Sequence, residues 1–171
     1  KQPGSRLAIV GISRLDLAGS QLELVGRVRG GRVPQVDVAA CRAVFAAVAA
    51  AQRAGLVAAC HDCSDGGLVT AVAEMAIGGG AGARLALADV PLAGDAAGMS
   101  PAQRDLAIAF TETPGRFVCE VPAAAAERFA AAVAGVPWAW IGGVTDDRRL
   151  EIAPAGAAAA AIIPVERLAR A

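Results

Sequence analysis

Short apolar segments alternate with helical patterns along most of this chain. The segments at residues 7–12, 56–60 and 83–87 have the length of buried strands, and turn-forming residues follow them. Strands that alternate with helices predict a layered α/β domain. Because the order of helices and strands becomes irregular toward the C-terminus, we expect a mixed β-sheet flanked by helices rather than a purely parallel sheet.

Capping residues mark the predicted helix ends. Asp37 and Ser100, the latter followed by Pro101, are residues favoured at helix N-termini, and Gly55 is typical of a C-terminal end. We expect helices over residues 37–55, 66–77, 100–109, 123–134 and 165–170. The first helix is predicted to bury the side chains that recur on one face, which are Val38, Cys41, Phe45 and Val48.

Further strands are expected in the C-terminal half, at residues 117–121, 138–144 and 150–152. The alanine-rich residues 157–161 have high helix propensity. Gly156 and Pro164 bracket them, however, and two isoleucines follow, so we favour a strand there. The Gly- and Arg-rich residues 26–34 and residues 88–98 are predicted loops.

Length and charge limit the classes of protein that this chain can belong to. Its 171 residues, 56% of them hydrophobic, suit a single domain with a sizeable core. Sixteen basic and sixteen acidic residues cancel, and no basic stripe is present, which argues against nucleic-acid binding. The apolar stretches are broken by charge, Gly or Pro, so we expect no membrane span.

The first residue and the cysteines indicate the origin and the cellular location of the chain. The chain starts with Lys1 and not with Met, so we expect an excised piece of a longer protein or a processed terminus. The four cysteines accompany a core large enough to need no disulfides, which predicts a reducing, cytoplasmic location. Cys60 and Cys63 have redox-pair or zinc-site spacing, but a zinc site needs two more ligands and no second close pair occurs.

Residues 61–68, His61-Asp62-Cys63-Ser64-Asp65-Gly66-Gly67-Leu68, join a predicted strand to a predicted helix. The first amides of a helix lack intrahelical partners and lie at the positive end of its dipole, so this turn is a candidate anion or phosphate site. The alternative is that Ser64 or Asp65 only caps the helix and the glycines serve the turn. A His61–Ser64 base and nucleophile pair is disfavoured because no nucleophile elbow is present.

The second polar segment comprises residues 110–117. Glu112 has the chemistry to bind an amine or hydroxyl, and Arg116 a phosphate or carboxylate. The alternative is a surface turn with a local ion pair. Neither a P-loop nor a dinucleotide-binding glycine pattern occurs, so the motifs alone give no reason to expect ATP binding.

These segments resemble a known family. Residues 61–68, followed by Ala71-Val72-Ala73-Glu74-Met75-Ala76, are similar to the C-terminal domain of the aminoimidazole ribonucleotide synthase-related superfamily, and most similar to its phosphoribosylformylglycinamidine synthase members. Hydrogenase-maturation proteins and selenophosphate synthetases match less well. Three more segments occur in the family's order: Leu17-Ala18-Gly19-Ser20, in which Ala18 replaces a glycine, Glu112-Thr113-Pro114-Gly115-Arg116-Phe117, and Ile141-Gly142-Gly143-Val144-Thr145-Asp146.

The resemblance, which spans residues 7–170, implies a function for a parent enzyme. Such a synthase converts formylglycinamide ribonucleotide, ATP and glutamine-derived ammonia into formylglycinamidine ribonucleotide. ATP, Mg²⁺ and the catalytic histidine belong mainly to N-terminal domains, so this chain is expected to need no cofactor and to be inactive alone. Expected partners are those N-terminal domains and a glutaminase domain or subunit.

The resemblance also implies that this chain is the second C-terminal domain of such a synthase. Its cleft is then a pseudo-site, and an alternative role is that of a structural assembly module or a phosphate-binding domain of another superfamily member. No residue is predicted to be catalytic or to bind metal. The ligand-binding or phosphate-binding candidates are His61, Asp62, Ser64, Asp65, Gly66, Gly67, Glu112, Thr113 and Arg116.

Overall fold

A seven-stranded sheet organises the computed structural model, which describes residues 2–27, 29–94, 98–156 and 160–170. The strands are β1 (Arg6–Val10), β2 (Ser13–Arg14), β3 (Ala59–Asp62), β4 (Gly82–Ala86), β5 (Leu92–Ala93), β6 (Phe117–Val121), β7 (Trp138–Thr145), β8 (Arg149–Ala153) and β9 (Ala161–Pro164). The order in the large sheet is β3-β6-β1-β7-β4-β8-β9, while β2 and β5 form a separate parallel pair. Only β4 and β8 run parallel within the large sheet. The predicted mixed sheet is therefore confirmed.

Six α-helices accompany the sheet in the described residues. They are α1 (Gln21–Leu24), α2 (Val38–Arg53), α3 (Gly67–Gly79), α4 (Pro101–Phe110), α5 (Ala126–Val133) and α6 (Val165–Leu168). The predicted caps are confirmed where sequence signals were strongest. The Asp37 side chain accepts a hydrogen bond from the Ala40 amide at 3.0 Å, and Ser100 and Gln103 form a reciprocal capping box.

Helices cover both faces of the sheet. In the central strand β1, Leu7 and Ile9 face a core that includes Leu68 of α3 and Ile108 of α4. Ala8 and Val10 face the opposite core, to which α2 and α5 contribute. Alternate residues of a strand point to opposite faces, so an apolar run such as Leu7-Ala8-Ile9-Val10 is what a strand covered on both sides requires.

The predicted buried face of α2 was largely wrong. Val38 is 73% exposed and Phe45 is 51% exposed. The helix packs instead through the buried side chains of Val44, Val48 and Ala51, which lie four and three residues apart. This stripe is displaced from the predicted one because contact with α5 and the sheet, rather than the apolar pattern of the helix alone, sets its orientation.

Several boundaries also differ from the sequence prediction. The strand predicted at residues 56–60 is β3, which continues into the polar His61 and Asp62 because these residues pair with Val118 and Phe117 of β6. A short helix, α1, occupies a stretch for which the sequence predicted neither a helix nor a strand. The predicted loop at 88–98 contains β5, with residues 95–97 outside the described part. The last predicted strand corresponds to β9. Residues 157–159, which were included in that prediction, lie outside the described residues.

Candidate functional site

The Glu112 carboxylate connects three of the four family-like segments, those at residues 61–68 and 112–117 and the one at 17–20, through Gln21 directly after it. Its Oε1 atom accepts a hydrogen bond from the Gly66 amide at 2.9 Å and another from the Gln21 amide at 2.8 Å. Glu112 follows α4, Gly66 precedes α3, and Gln21 begins α1. One side chain therefore joins the starts of two helices to the loop that leads into β6.

The glycines at the start of α3 are needed for close packing. Gly66 and Gly67 have φ angles of +76° and +68°, in the left-handed region that favours glycine. A Cβ atom on Gly67 would lie 2.5 Å from the Thr111 carbonyl oxygen, and one on Gly66 would collide with the Thr70 side chain. The turn therefore places the α3 backbone against the end of α4.

Gly66 occupies the N-cap position of α3, and no side chain caps the helix there. The prediction that Ser64 or Asp65 is the N-cap was therefore wrong. The accompanying prediction that the glycines serve the turn agrees with their positive φ angles. The Gly67 amide donates to the Ser64 carbonyl at 3.0 Å, and the Thr70 hydroxyl donates to the Gly66 carbonyl at 2.9 Å. The left-handed glycine backbone and the distant Glu112 carboxylate, rather than a side chain at the N-cap position, fix this helix start.

His61 and Ser64 contact different partners. The His61 Nε2 atom lies 3.1 Å from the Glu74 Oε2 atom, and its Nδ1 atom lies 2.7 Å from the Asp62 carbonyl oxygen. The Ser64 hydroxyl donates to the Asp62 Oδ2 atom at 2.7 Å, and this bond lowers the pKa of the Asp62 carboxyl group. The serine is thus bonded to an acid and not to the histidine, which agrees with the rejection of a base and nucleophile pair.

Arg116 lies in the protein interior, with 1% of its surface exposed. Its guanidinium group donates to the Ser13 hydroxyl at 2.9 Å, to the Thr113 carbonyl at 3.0 Å and to the Thr111 carbonyl. Burial lowers the pKa of this guanidinium group. All three guanidinium nitrogens thus donate to the protein itself, which gives Arg116 a framework position.

Thr113 belongs to the same buried network. Its hydroxyl accepts from the Arg14 amide at 3.0 Å and lies 3.1 Å from the Thr111 hydroxyl, which itself donates to the Arg14 carbonyl at 2.6 Å. Ser13, Thr111 and Gln21 were not among the predicted site residues. Polar residues within apolar surroundings were the available signal for Ser13 and Thr111, whereas Gln21 contributes only a backbone amide, which has no sequence signature.

The nine candidate residues thus occupy three settings. Thr113 and Arg116 are buried, while Gly66, Gly67 and Glu112 form the joint between helices α1, α3 and α4. The side chains that remain open to solvent are those of His61, Asp62, Ser64 and Asp65. A ligand approaching this region would meet the last group, and ligand binding by any of the nine stays a prediction.

The described residues contain neither a metal-binding cluster nor a membrane-spanning helix. The described ranges contain no group of three or more His, Cys, Asp or Glu side chains arranged to hold a metal ion. Across the same ranges, no helix combines the length and the apolar character needed to cross a membrane.

Known relatives match most of the chain. A chain of the phosphoribosylformylglycinamidine synthase subunit PurL of Parafrankia sp. (strain EAN1pec) is 34% identical over 169 residues, which is 96% of this chain and 20% of the relative. The PurL subunit of Thermococcus gammatolerans is 35% identical over 71% of this chain and 16% of its own length. This chain therefore spans about a fifth or less of the relatives that it matches.

Solved structures share the fold. Phosphoribosylformylglycinamidine synthase II of Thermotoga maritima superposes with a TM-score of 0.78 at 21% identity, covering 99% of this chain and 26% of that one. The hydrogenase maturation protein HypE of E. coli has a TM-score of 0.65 at 21% identity, covering 96% of this chain and 50% of that one. The sequence-based resemblance to the synthase is confirmed by the PurL relatives, which are 34% and 35% identical.

A family model supplies the assignment. The model described as "AIR synthase related protein, C-terminal domain" matches residues 2–153. That match includes β1 to β8, the Glu112 joint and the buried Arg116 network. The chain belongs to the family of AIR synthase related protein C-terminal domains.

Proposed function

We propose that this chain is a single domain of a larger synthase that forms formylglycinamidine ribonucleotide from formylglycinamide ribonucleotide, ATP and glutamine-derived ammonia. The similarity to PurL subunits along 96% of the chain supports this proposal, as does the small fraction of each relative that the chain spans. T. maritima PurL has been solved with ATP and with FGAR, and both complexes contain the fold of this chain. The reaction is ATP-dependent C–N bond formation, and cytoplasm is its expected location.

Within that synthase, the domain acts as a framework rather than as a catalyst. The observation that carries this role is the Glu112 carboxylate oxygen, which accepts from the backbone amides of both Gly66 and Gln21. Arg116, the strongest candidate for an anion contact, directs its described hydrogen bonds into the protein. The motifs thus set helix positions, and the domain alone is inactive.

The N-terminal domains of the same synthase are the proposed direct partners. Large apolar side chains are exposed along one stretch of the chain, from the end of α1 to the middle of α2. They are Leu24 (74% exposed), Val25 (66%), Val33 (59%), Val36 (60%), Val38 (73%) and Phe45 (51%). Exposed apolar surface of this kind commonly marks an interface. These six residues, the α1–α2 surface, form the proposed contact with the N-terminal domains.

ATP and Mg²⁺ bind in those N-terminal domains. A magnesium site requires several oxygen ligands, and the described residues of this chain offer no acidic cluster of that kind. Ammonia comes from a glutaminase domain or subunit, a partner suggested by the solved T. maritima complex named PurLQS. When bound, Mg²⁺–ATP supplies the activated phosphoryl group, while this chain positions the surrounding structure.

Calorimetric titration with ATP, ADP and formylglycinamide ribonucleotide, with and without the N-terminal part of the parent, tests the proposal. We expect no ATP hydrolysis and no nucleotide binding by the chain alone, and tight association with the N-terminal part. Phosphate-dependent binding at residues 61–68 in the isolated chain would instead favour a phosphate-binding domain. ATP hydrolysis by the chain alone would refute the proposal.

A further inference from the structure

Two cysteine thiols face each other across neighbouring strands. Cys60 of β3 pairs with Cys119 of β6 in the antiparallel register, and their Sγ atoms lie 3.7 Å apart. Cys119 is fully buried, whereas Cys60 is partly exposed. Both are reduced thiols in this structure. Nothing in the proposed synthase function makes use of this pair.

The hydrogen-bond pattern places the pair where a cross-strand disulfide fits. The Cys63 amide donates to the Arg116 carbonyl at 2.9 Å, which marks the hydrogen-bonded type of pair one step beyond the end of β3. The two types alternate along an antiparallel ladder, so Cys60 and Cys119, three steps away, form a non-hydrogen-bonded pair. In such pairs the Cα atoms are about 4.5 Å apart, within the range that disulfides span.

Strand geometry also separates Cys60 from Cys63. The two residues are an odd number of positions apart, so an extended backbone directs their side chains to opposite faces of the sheet. Cys63 belongs to the core under α3 and α4, while Cys60 packs against the core under α2 and α5. The Cys-x-x-Cys spacing in the sequence therefore does not bring its two sulfur atoms together.

We propose that Cys60 and Cys119 form a reversible disulfide when the chain meets a low-molecular-weight disulfide such as oxidised glutathione. The more accessible Cys60 thiolate attacks one sulfur of the oxidant, forming a mixed disulfide and releasing one thiol. Cys119 then attacks Cys60 Sγ and displaces the second thiol. One disulfide is consumed and one is formed, and the two cysteine protons leave with the two released thiols.

The order of attack follows from the surroundings of each thiol. The pKa of the Cys119 thiol is raised, first by its hydrogen bond to Cys60 and then by burial. Burial also raises the pKa of Cys63, to about 11. Thiolate is the reactive form, so neither Cys119 nor Cys63 is suited to begin the exchange near neutral pH. Cys119 resolves the mixed disulfide because Cys60 is held directly opposite it.

The bond would lock the strand that leads into residues 61–68. Among the described strands, β3 is at the edge of the large sheet and pairs only with β6. Edge strands exchange their amide hydrogens by local opening more readily than central strands do. A covalent link at Cys60 opposes that opening, so oxidation would slow hydrogen exchange in Ala59–Asp62 and in the turn that follows.

Mass spectrometry after equilibration with reduced and oxidised glutathione tests the proposal. Samples of the chain are acid-quenched, alkylated and digested without reduction. We expect a species lighter by two hydrogens, with Cys60 and Cys119 peptides linked and Cys41 and Cys63 alkylated. Cys60→Ser should abolish the link, and the matched variant Cys63→Ala should keep it. Hydrogen exchange in β3 should slow on oxidation of the chain and of Cys63→Ala, but not of Cys60→Ser.

Three results would overturn the proposal. The first is a Cys60–Cys63 link, the second is glutathione retained on Cys60 without a cross-link at any ratio of the couple, and the third is no loss of thiols. Cys60→Ser replaces a partly exposed side chain, so its folding can be verified by circular dichroism before oxidation. If Cys63→Ala does not fold, the peptide link found in the unaltered chain decides the test.

Discussion

The Oε1 atom of Glu112 accepts a hydrogen bond from the Gly66 amide at 2.9 Å, across 46 residues of sequence. The same atom accepts from the Gln21 amide, so one carboxylate satisfies a donor at the start of two helices. This joint connects segments of the chain that are distant in sequence.

Glu112→Ala should lower the free energy of unfolding by about 1–2 kcal/mol, because two backbone amides lose a charged acceptor but keep some access to water. Urea denaturation followed by circular dichroism measures the change. Glu127→Ala, on the exposed surface of α5, is the matched control and should shift stability by no more than about 0.5 kcal/mol. Equal effects of the two substitutions would contradict the role of Glu112 as a joint.

Gly67→Ala should destabilise the chain by more than about 2 kcal/mol, because the left-handed backbone and the contact with the Thr111 carbonyl oxygen both oppose a Cβ atom. Gly78→Ala is the control within the same helix. Gly78 has open space around its Cβ position, so alanine should stabilise α3 by about 0.5–1 kcal/mol. In thermal or urea unfolding, the two substitutions should change the free energy of unfolding in opposite directions. A Gly67→Ala variant as stable as the unaltered chain would refute the close packing of α3 against the end of α4.

Arg116→Lys should cost about 3 kcal/mol or more, because a single ammonium group cannot replace the planar donors that reach Ser13, Thr113 and Thr111. Arg128→Lys on the exposed face of α5 should be nearly neutral by comparison. Denaturant unfolding distinguishes the two. If Arg116→Lys folds normally but loses binding of a phosphorylated ligand, Arg116 is a ligand contact rather than a framework residue.

Ser64→Ala should raise the pKa of the Asp62 carboxyl group toward its ordinary value, because the serine hydroxyl is the main cause of its lowered pKa. A lowered pKa in the folded state contributes stability above the unfolded pKa, and that contribution is lost as pH falls through the folded value. The substitution should therefore lower stability at pH values above about 4, and the difference from the unaltered chain should disappear as the pH falls through the folded pKa. Carboxyl-carbon NMR titration measures the pKa, and Asp147, whose pKa is lowered by Thr145, should titrate unchanged.

The α1–α2 surface predicts an effect on association. Leu24→Asp and Val38→Asp should leave the fold of the chain intact, because both side chains are more than 70% exposed, and should weaken binding to the N-terminal part of the parent at least tenfold. Ile162→Asp on β9, an exposed apolar position distant in sequence, is the control for added charge. Equal binding by all three variants would exclude this surface as the contact.

Sequence patterns predicted the elements that depend on local chemistry. The Asp37 and Ser100 caps, the continuous apolar run of β1 and the glycine turn before α3 all follow from requirements that are visible within a few residues. The resemblance of residues 61–68 and 112–117 to a family then identified the relatives correctly.

Long-range contacts account for what the sequence did not predict. The orientation of α2 depends on α5 and the sheet, so Phe45 was wrongly expected to be buried. The Cys60–Cys119 pair depends on strand register, which no local pattern specifies. Arg116 suggested an anion contact because a sequence does not show that Ser13, 103 residues away, accepts its hydrogen bond.

The most direct test of the proposed function is an assay of formylglycinamidine ribonucleotide formation and ATP hydrolysis with the chain alone and with the full parent protein. The parent, given formylglycinamide ribonucleotide, Mg²⁺–ATP and ammonia, should form the product, whereas the chain alone should form none and hydrolyse no ATP. ATP hydrolysis by the chain alone, or a parent that makes no formylglycinamidine ribonucleotide, would contradict its assignment as a framework domain of this synthase.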